Sequence, residues 1–372
     1  MFRILMIVIA LLTSSCSSCL QQVNKNLDRV CDPGASTCIS LSAFQANLDH
    51  ALQGKVVGYV SVVGGLPQAV TWGSSRLSQD GSQPWTVDTP INIMSISKVI
   101  TTIGVLQLMA KHHLQLTDTI ASHLPSDWSQ GANIDRITFR DLLTHRSGFR
   151  DGPSADTSYA KLKQQIAGGV TAANHGQPSY NNLNFALFRV VMPFIDGFND
   201  PGPATRDQAT ADWYIDYIRT HILAPVSDGG DCKPTGGNKQ ALWYPTTPPP
   251  ALHGNSGGDW TLLCGGGGWS MTAGALYRVA LSLAADERLL SDAQKATMNS
   301  SCLGWDCSVG TQVDFVGKNG IWTDGQSGMV ETFLGLFHGS RIQVVLLVNS
   351  PPPGNITDIV SAAYQAARVP SS

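Results

Sequence analysis

Near the end of the chain, three apolar runs stand so close together that they can pair in only one sense. The stretches "VDFVGK" (313–318), "ETFLGLF" (331–337) and "RIQVVLLVN" (341–349) read as strands. His338-Gly339-Ser340 is all that separates the last two. A parallel return needs a long crossover, so strands joined by so short a turn are antiparallel. A second pair, 56–63 and 69–72, lies near the start and is joined by Gly64-Gly65-Leu66-Pro67. Between the two groups the patterns are helical. Residues 100–116 form a long apolar helix, 210–222 a helix ended by Pro225, and 270–285 another. Residues 227–268, with "TTPPP", "NSGGDW" and "CGGGG", carry loop chemistry. Leu41, Phe44, Leu48 and Leu52 fall at helical spacing, and residues 355–367 close the chain with a helix. The expected fold is α/β of the α+β kind: one antiparallel sheet built from both chain ends, flanked by the terminal helices, with a mainly helical lobe inserted. Its expected parts are a sheet domain of 41–90 with 270–372, and a helical insertion of 91–269.

What precedes residue 41 reads as processing and tether. Arg3 and the apolar run Ile4 to Leu12 make residues 1–15 an export signal, far short of the roughly 20 residues a spanning helix needs. Leu12-Thr13-Ser14-Ser15-Cys16 resembles a bacterial lipoprotein signal, departing at Thr13 where that motif prefers Leu. A lipid on Cys16 is the one membrane attachment this reading admits, and a plain secretory cleavage near Cys16 or Cys19 stands beside it. Residues 16–40 are expected as a polar tether. The protein is therefore expected in the periplasm or secreted, with the lipid anchor as the variant case. An exported chain invites disulfides, and neighbour pairing gives Cys31–Cys38, Cys232–Cys264 and Cys302–Cys307, although six cysteines allow 15 connectivities. A zinc site is disfavoured, since no C-x-x-C follows the tether and no histidine pair has ligand spacing. The net charge of -3 shows no basic stripe, so nucleic acid is excluded as a partner.

Within "INIMSISKVITTIGVLQLMA" (91–110), a lysine sits in a segment that otherwise looks built for burial. If a helix begins near Ser95, Lys98 lies one turn on and on the same face. The serine's free backbone N–H can then face an oxyanion, and a desolvated lysine can take the hydroxyl proton. Ser97 is a poor rival, because Ile100 stands one turn beyond it. Taken alone, the pair also fits an N-capping serine with a snorkelling lysine.

Five words in order, "MSISKVITT", "LLTHRSGF", "YNNLNFAL", "GGWSMTAGALYRVA" and "LGWDCS", followed by a Lys-x-Gly strand, decide between those readings. Together they resemble the serine β-lactamase and penicillin-binding-protein superfamily, in the branch of class C β-lactamases, DD-peptidases and related esterases, over roughly 41–368. The resemblance implies that Ser95 is the nucleophile, Lys98 its activator, and Tyr180 of Tyr-x-Asn a second acid or base. It implies that Asn182 positions substrate, and that Lys318-Asn319-Gly320 takes the place of Lys-Thr-Gly. Gly320 then permits close substrate approach, and Ile321 supplies the second oxyanion N–H beside that of Ser95. Asn319 stands where the family has threonine, and Trp322 follows where small residues are usual. These departures argue against efficient penicillin turnover, while Lys318 still supplies charge for a carboxylate. His145 is expected to be structural; Trp243 and Tyr244 are expected to wall a pocket or pack in the core.

The expectation is an exported serine hydrolase acting through an acyl-enzyme on small amides or esters, peptidoglycan-derived ones included, with no metal or organic cofactor. A peptidase or esterase is favoured over a dedicated β-lactamase. The alternative is a non-catalytic sensor that binds penicillin or peptidoglycan.

Overall fold

The computed structural model describes residues 28–371 except 153–155, 228, 234–238, 249, 308–314, 324–327, 338 and 340. The expected export signal, Cys16 and the start of the tether lie outside the described residues, as do His338 and Ser340.

Alternating apolar residues at both chain ends build the main sheet. From the N-terminal side come β3 (Gly58–Val63), β4 (Val70–Arg76) and β5 (Gln83–Pro84); from the C-terminal side come β8 (Phe315–Thr323), β9 (Met329–Phe337) and β10 (Ile342–Val348). Their order is β5-β4-β3-β10-β9-β8, antiparallel throughout. The two ends meet at the centre, where Val60 faces Leu347 and Val62 faces Val345. Strand β10 is buried along its whole length, with its side chains divided by the period of two. Ile342, Val344, Leu346 and Val348 join the core under α1 (Leu41–Leu52) and the C-terminal helix Ile356–Gln365. Val345 and Leu347 join the larger core beneath helix Ala273–Ala285 and the inserted lobe. Phe44 of α1 meets the rings of Phe337 and Tyr364 edge-on, at 5.7 and 5.5 Å.

The tether departs from expectation over its last dozen residues. Arg29–Cys31 (β1) and Thr37–Ser40 (β2) form a hairpin, and the C-terminal strand β11 (Arg368–Pro370) adds to the free edge of β2. The cause lies in β2, whose Cys38 and Ile39 are buried and so must pair. Cys31 and Cys38 stand opposite each other in the ladder, with Cα atoms 4.4 Å apart, and are bonded. Ser40 then caps α1, its Oγ accepting from the Ala43 N–H at 3.1 Å. The other two disulfides are Cys232–Cys264 and Cys302–Cys307, the expected neighbour pairs.

The chain leaves the sheet domain at β6 (Ile91–Asn92) and returns at β7 (Ser270–Met271), and these two short strands pair with each other. Ser95 lies three residues past that ladder. The expected helix starts two residues later than Ser95: a 3-10 turn, Met94–Ile96, leads into α2 (Ser97–Lys111). The expected 210–222 helix is Arg206–Ile218, continued by a π-helical segment, Arg219–Leu223.

Candidate active site

The backbone before Ser95 is bent sharply, and its neighbours hold the bend. Met94 has φ 48°, a left-handed conformation that a branched-free but bulky side chain adopts only under constraint. Its N–H donates to Asn92 Oδ1 at 2.8 Å, the Ile93 N–H donates to Trp269 O at 2.8 Å, and Thr332 Oγ1 donates to Ile93 O at 2.9 Å. Strand β8 passes so close that a Cβ on Gly320 would collide with Ile93 O and come within 2.5 Å of Thr332 Oγ1 and 2.9 Å of Met94 Cβ. Glycine is required there by the approach of the Ile93–Met94 backbone, whereas the expectation from the sequence concerned the approach of a substrate.

Two groups converge on the serine. Tyr180 OH lies 2.8 Å from Ser95 Oγ, and Lys98 Nζ donates to the same oxygen at 3.1 Å. Lys98 is wholly buried at 0% exposure, and it also donates to Asn182 Oδ1 at 2.8 Å and to Gly266 O. Burial lowers its pKa, and nearby Lys318 lowers it further against the opposing pull of Tyr180. For Tyr180, burial alone would raise the phenol. Lys98 and Lys318, with Nζ atoms 5.2 and 4.8 Å from the ring centre, outweigh that effect and bring the pKa down to about 8. The arrangement thus holds a weakened ammonium and a strengthened phenol acid on one hydroxyl, which are the partners a serine nucleophile needs to lose and return a proton.

His145 supports the tyrosine from behind. Its ring lies 4.4 Å from that of Tyr180, and its Nδ1 accepts from the Asn181 N–H at 3.3 Å and from Asn184 Nδ2 at 3.1 Å. Burial and the two lysines depress its pKa to about 2, so it is a neutral packing group. Ser97 is buried and its Oγ accepts from the Trp269 N–H at 3.2 Å, away from the cleft.

Lys318 is placed differently from its expected role. Its side chain is 2% exposed and donates to Asp306 Oδ1 at 2.5 Å. A buried ammonium needs a counter-charge, and here the chain supplies its own. The expected free cation for a substrate carboxylate is therefore already paired. Strand alternation puts Lys318, Gly320 and Trp322 on one face of β8 and Asn319 and Ile321 on the other; Asn319 is not among the described residues lining the cleft. Ile321 does line it, on the free edge of the sheet.

The cleft beside Ser95 has a volume of about 290 Å³. Its aromatic wall is Trp260 against Trp322, edge to face with centres 5.7 Å apart. Trp243 and Tyr244 are core residues at 0% exposure; the Tyr244 hydroxyl donates to Asp80 Oδ2 at 2.8 Å. Trp260 escaped the sequence reasoning because it sits in a glycine-rich loop without periodicity. Asp306 stood inside the word "LGWDCS", and the demand of a buried lysine for a carboxylate was the signal that could have found it. Among the described residues no group of three or more His, Cys, Asp or Glu is spaced to hold a metal, and no helix is long and apolar enough to cross a membrane.

An antiparallel sheet with a helical lobe across it, and a serine, a lysine one turn on and a tyrosine meeting between them, defines the fold class of the serine β-lactamases and DD-peptidases. The family model described as Beta-lactamase matches residues 44–367, and the chain belongs to that family. It is 37% identical over 78 residues to a probable hydrolase, clz13, of Cochliobolus lunatus, covering 21% of this chain and 13% of that one. It is 26% identical over 141 residues to the putative penicillin-binding protein PbpX of Bacillus subtilis (strain 168), covering 37% and 31%. The chain thus matches well under two thirds of the length of these relatives. In fold it is similar to the D-amino acid amidase of Ochrobactrum anthropi SV3, with TM-score 0.65, 17% identity, and 87% and 96% of the two chains covered.

Proposed function

We propose that this chain, a serine hydrolase of the β-lactamase and DD-peptidase-like class, acts by acylation of Ser95 on small amide or ester substrates. The observation that carries the reading is the convergence of Lys98 Nζ and Tyr180 OH on Ser95 Oγ, at 3.1 and 2.8 Å. Ser95 Oγ attacks the substrate carbonyl carbon, and its proton passes to Lys98 or Tyr180. The N–H groups of Ser95 and Ile321 receive the oxyanion. As the tetrahedral intermediate collapses, Tyr180 returns a proton to the departing amine or alcohol, leaving the acyl group on Ser95. Water, deprotonated by the same pair, attacks the ester; the acid leaves and Ser95 recovers its proton. Asn182 holds Lys98 through its Oδ1 and lines the cleft, where its amide orients the substrate. The three disulfides support an exported protein.

The test is a panel of p-nitrophenyl esters, nitrocefin and D-Ala-D-Ala peptides, run beside a fluorophosphonate with intact-mass detection on wild type and Ser95→Ala. Turnover and a single adduct, both lost in Ser95→Ala, are expected. A stable adduct with no turnover of any substrate favours a penicillin- or peptidoglycan-binding sensor. No adduct, or activity unchanged in Ser95→Ala, removes the hydrolase reading.

A further inference from the structure

The ion pair between Lys318 and Asp306 occupies the cation that the resemblance assigned to a substrate carboxylate. Asp306 is fixed rather than incidental. It stands in the short loop closed by Cys302–Cys307, and its N–H donates to Gly317 O of β8 at 2.8 Å. Gly304 of the same loop donates to Leu143 O at 3.0 Å. With φ 74° it lies so close to α2 that a Cβ would strike Thr102 Oγ1 and come 3.1 Å from Lys98 O. The loop is thereby wedged between the helix bearing Lys98 and the strand bearing Lys318. The second cation, Lys98, is buried and spends its donors on Ser95, Asn182 and Gly266 O. Around the cleft itself, Asp156 is the single charged residue among the described lining residues. The mouth is apolar: the exposed large hydrophobic residues of the described chain are Leu262, Ile321 and Trp322, and the last two line the cleft.

Resting on the Ser95 acylation read above, we propose that Asp306 is a specificity-determining residue that closes this site to substrates carrying a carboxylate beside the scissile bond, so that the cleft takes uncharged, apolar esters and amides. A carboxylate brought to Lys318 also meets Asp306. It loses its water to a pair that is already neutral, and faces a like charge. An uncharged group avoids that penalty, and an aromatic or aliphatic one gains contact with Trp260 and Trp322.

The experiment uses a matched pair, m-carboxyphenyl phenylacetate and m-carbamoylphenyl phenylacetate, with phenol release followed near neutral pH. Wild type is expected to favour the carbamoyl ester by about tenfold or more in kcat/KM, the scale of one charge contact largely screened by water. Asp306→Asn should raise kcat/KM for the carboxylate ester relative to the carbamoyl ester about tenfold, on top of any change common to both; Asp306→Glu should restore the wild-type ratio. Equal or better use of the carboxylate ester by wild type overturns the proposal, whether or not Asp306→Asn folds. So does a change in Asp306→Asn that is the same for both esters. Absence of turnover together with absence of a fluorophosphonate adduct at Ser95 overturns the hydrolase reading, and this proposal falls with it; an adduct without charge selectivity overturns the proposal alone.

Discussion

Replacing Lys318 with methionine removes one of the two ammonium groups that hold the Tyr180 phenol at about 8 against the upward push of burial. The Nζ lies 4.8 Å from the ring centre. At an effective dielectric of about 20, a unit charge at that distance contributes about 3 kcal/mol, or roughly two pKa units. Asp306 left without its counter-charge, relaxation and water entering the gap all diminish the shift. The Tyr180 pKa should rise by about one to two units. With the Tyr180 phenolate taken as the acceptor of the Ser95 proton, the sign for activity follows. It fills above the pKa, so wild-type kcat/KM rises with pH and levels off past about 8. In Lys318→Met the rise moves to higher pH, and kcat/KM near neutrality falls at least about tenfold while partly recovering in alkali. The assay is kcat/KM for an uncharged ester over roughly pH 6 to 10, corrected for spontaneous hydrolysis, with near-ultraviolet circular dichroism to confirm folding. Because Lys98 and Tyr180 titrate together, the limb belongs to the pair. A limb that stays in place or moves to lower pH in a folded variant refutes the electrostatic account of Tyr180.

Other outcomes follow from the same geometry. Lys98→Met should lower kcat/KM about a thousandfold, yet keep or raise the melting temperature, since it removes a wholly buried ammonium whose pKa burial depresses; a fall of several degrees contradicts the burial argument. Gly320→Ala should destabilise by about 1–3 kcal/mol in denaturant titration and abolish acylation, because its Cβ has no room beside Ile93 and Met94. Loss of the Cys232–Cys264 bond, which closes a separation of 32 residues, should cost about 3–4 kcal/mol of stability. It should also slow acylation, since Gly266 O, an acceptor for Lys98, lies two residues past Cys264; unchanged rates would detach that loop from catalysis. Trp322→Ala should raise KM for aromatic esters about tenfold with little change in kcat, measured against an acetyl ester as control.

How much of this was legible in the sequence depends on the range over which each signal acts. Strands β3, β4, β9 and β10 and helix α1 announce themselves through local periodicity, and the short links between strands dictate their antiparallel sense. Ser95 and Lys98 were legible because one helical turn is a local distance, and the word order of a family supplied Tyr180. The β1–β2 hairpin was not legible as sheet: its third strand, β11, lies more than 300 residues away, and the stretch between Cys31 and Cys38 is polar enough to pass for a linker. The Lys318–Asp306 pair escaped for a related reason. Strand alternation shows that a lysine points inward, but the identity of its counter-charge depends on how a disulfide-closed loop folds back. Trp260 was hidden by glycines, which carry no period from which burial can be read.

The way the main sheet is assembled has a consequence for the integrity of the molecule. Since β3 and β4 come from before the lobe, β8 to β10 from after it, and β3 lies against β10, a nick in the irregular stretch around residue 250 does not release two halves. The fragments stay knitted along the Val60–Leu347 seam, tied again by β2 against β11. Ser95 and Lys98 travel on one fragment and Lys318 on the other, so each piece alone is inert, and mixing separately made pieces should recover a working protein only when that seam re-forms.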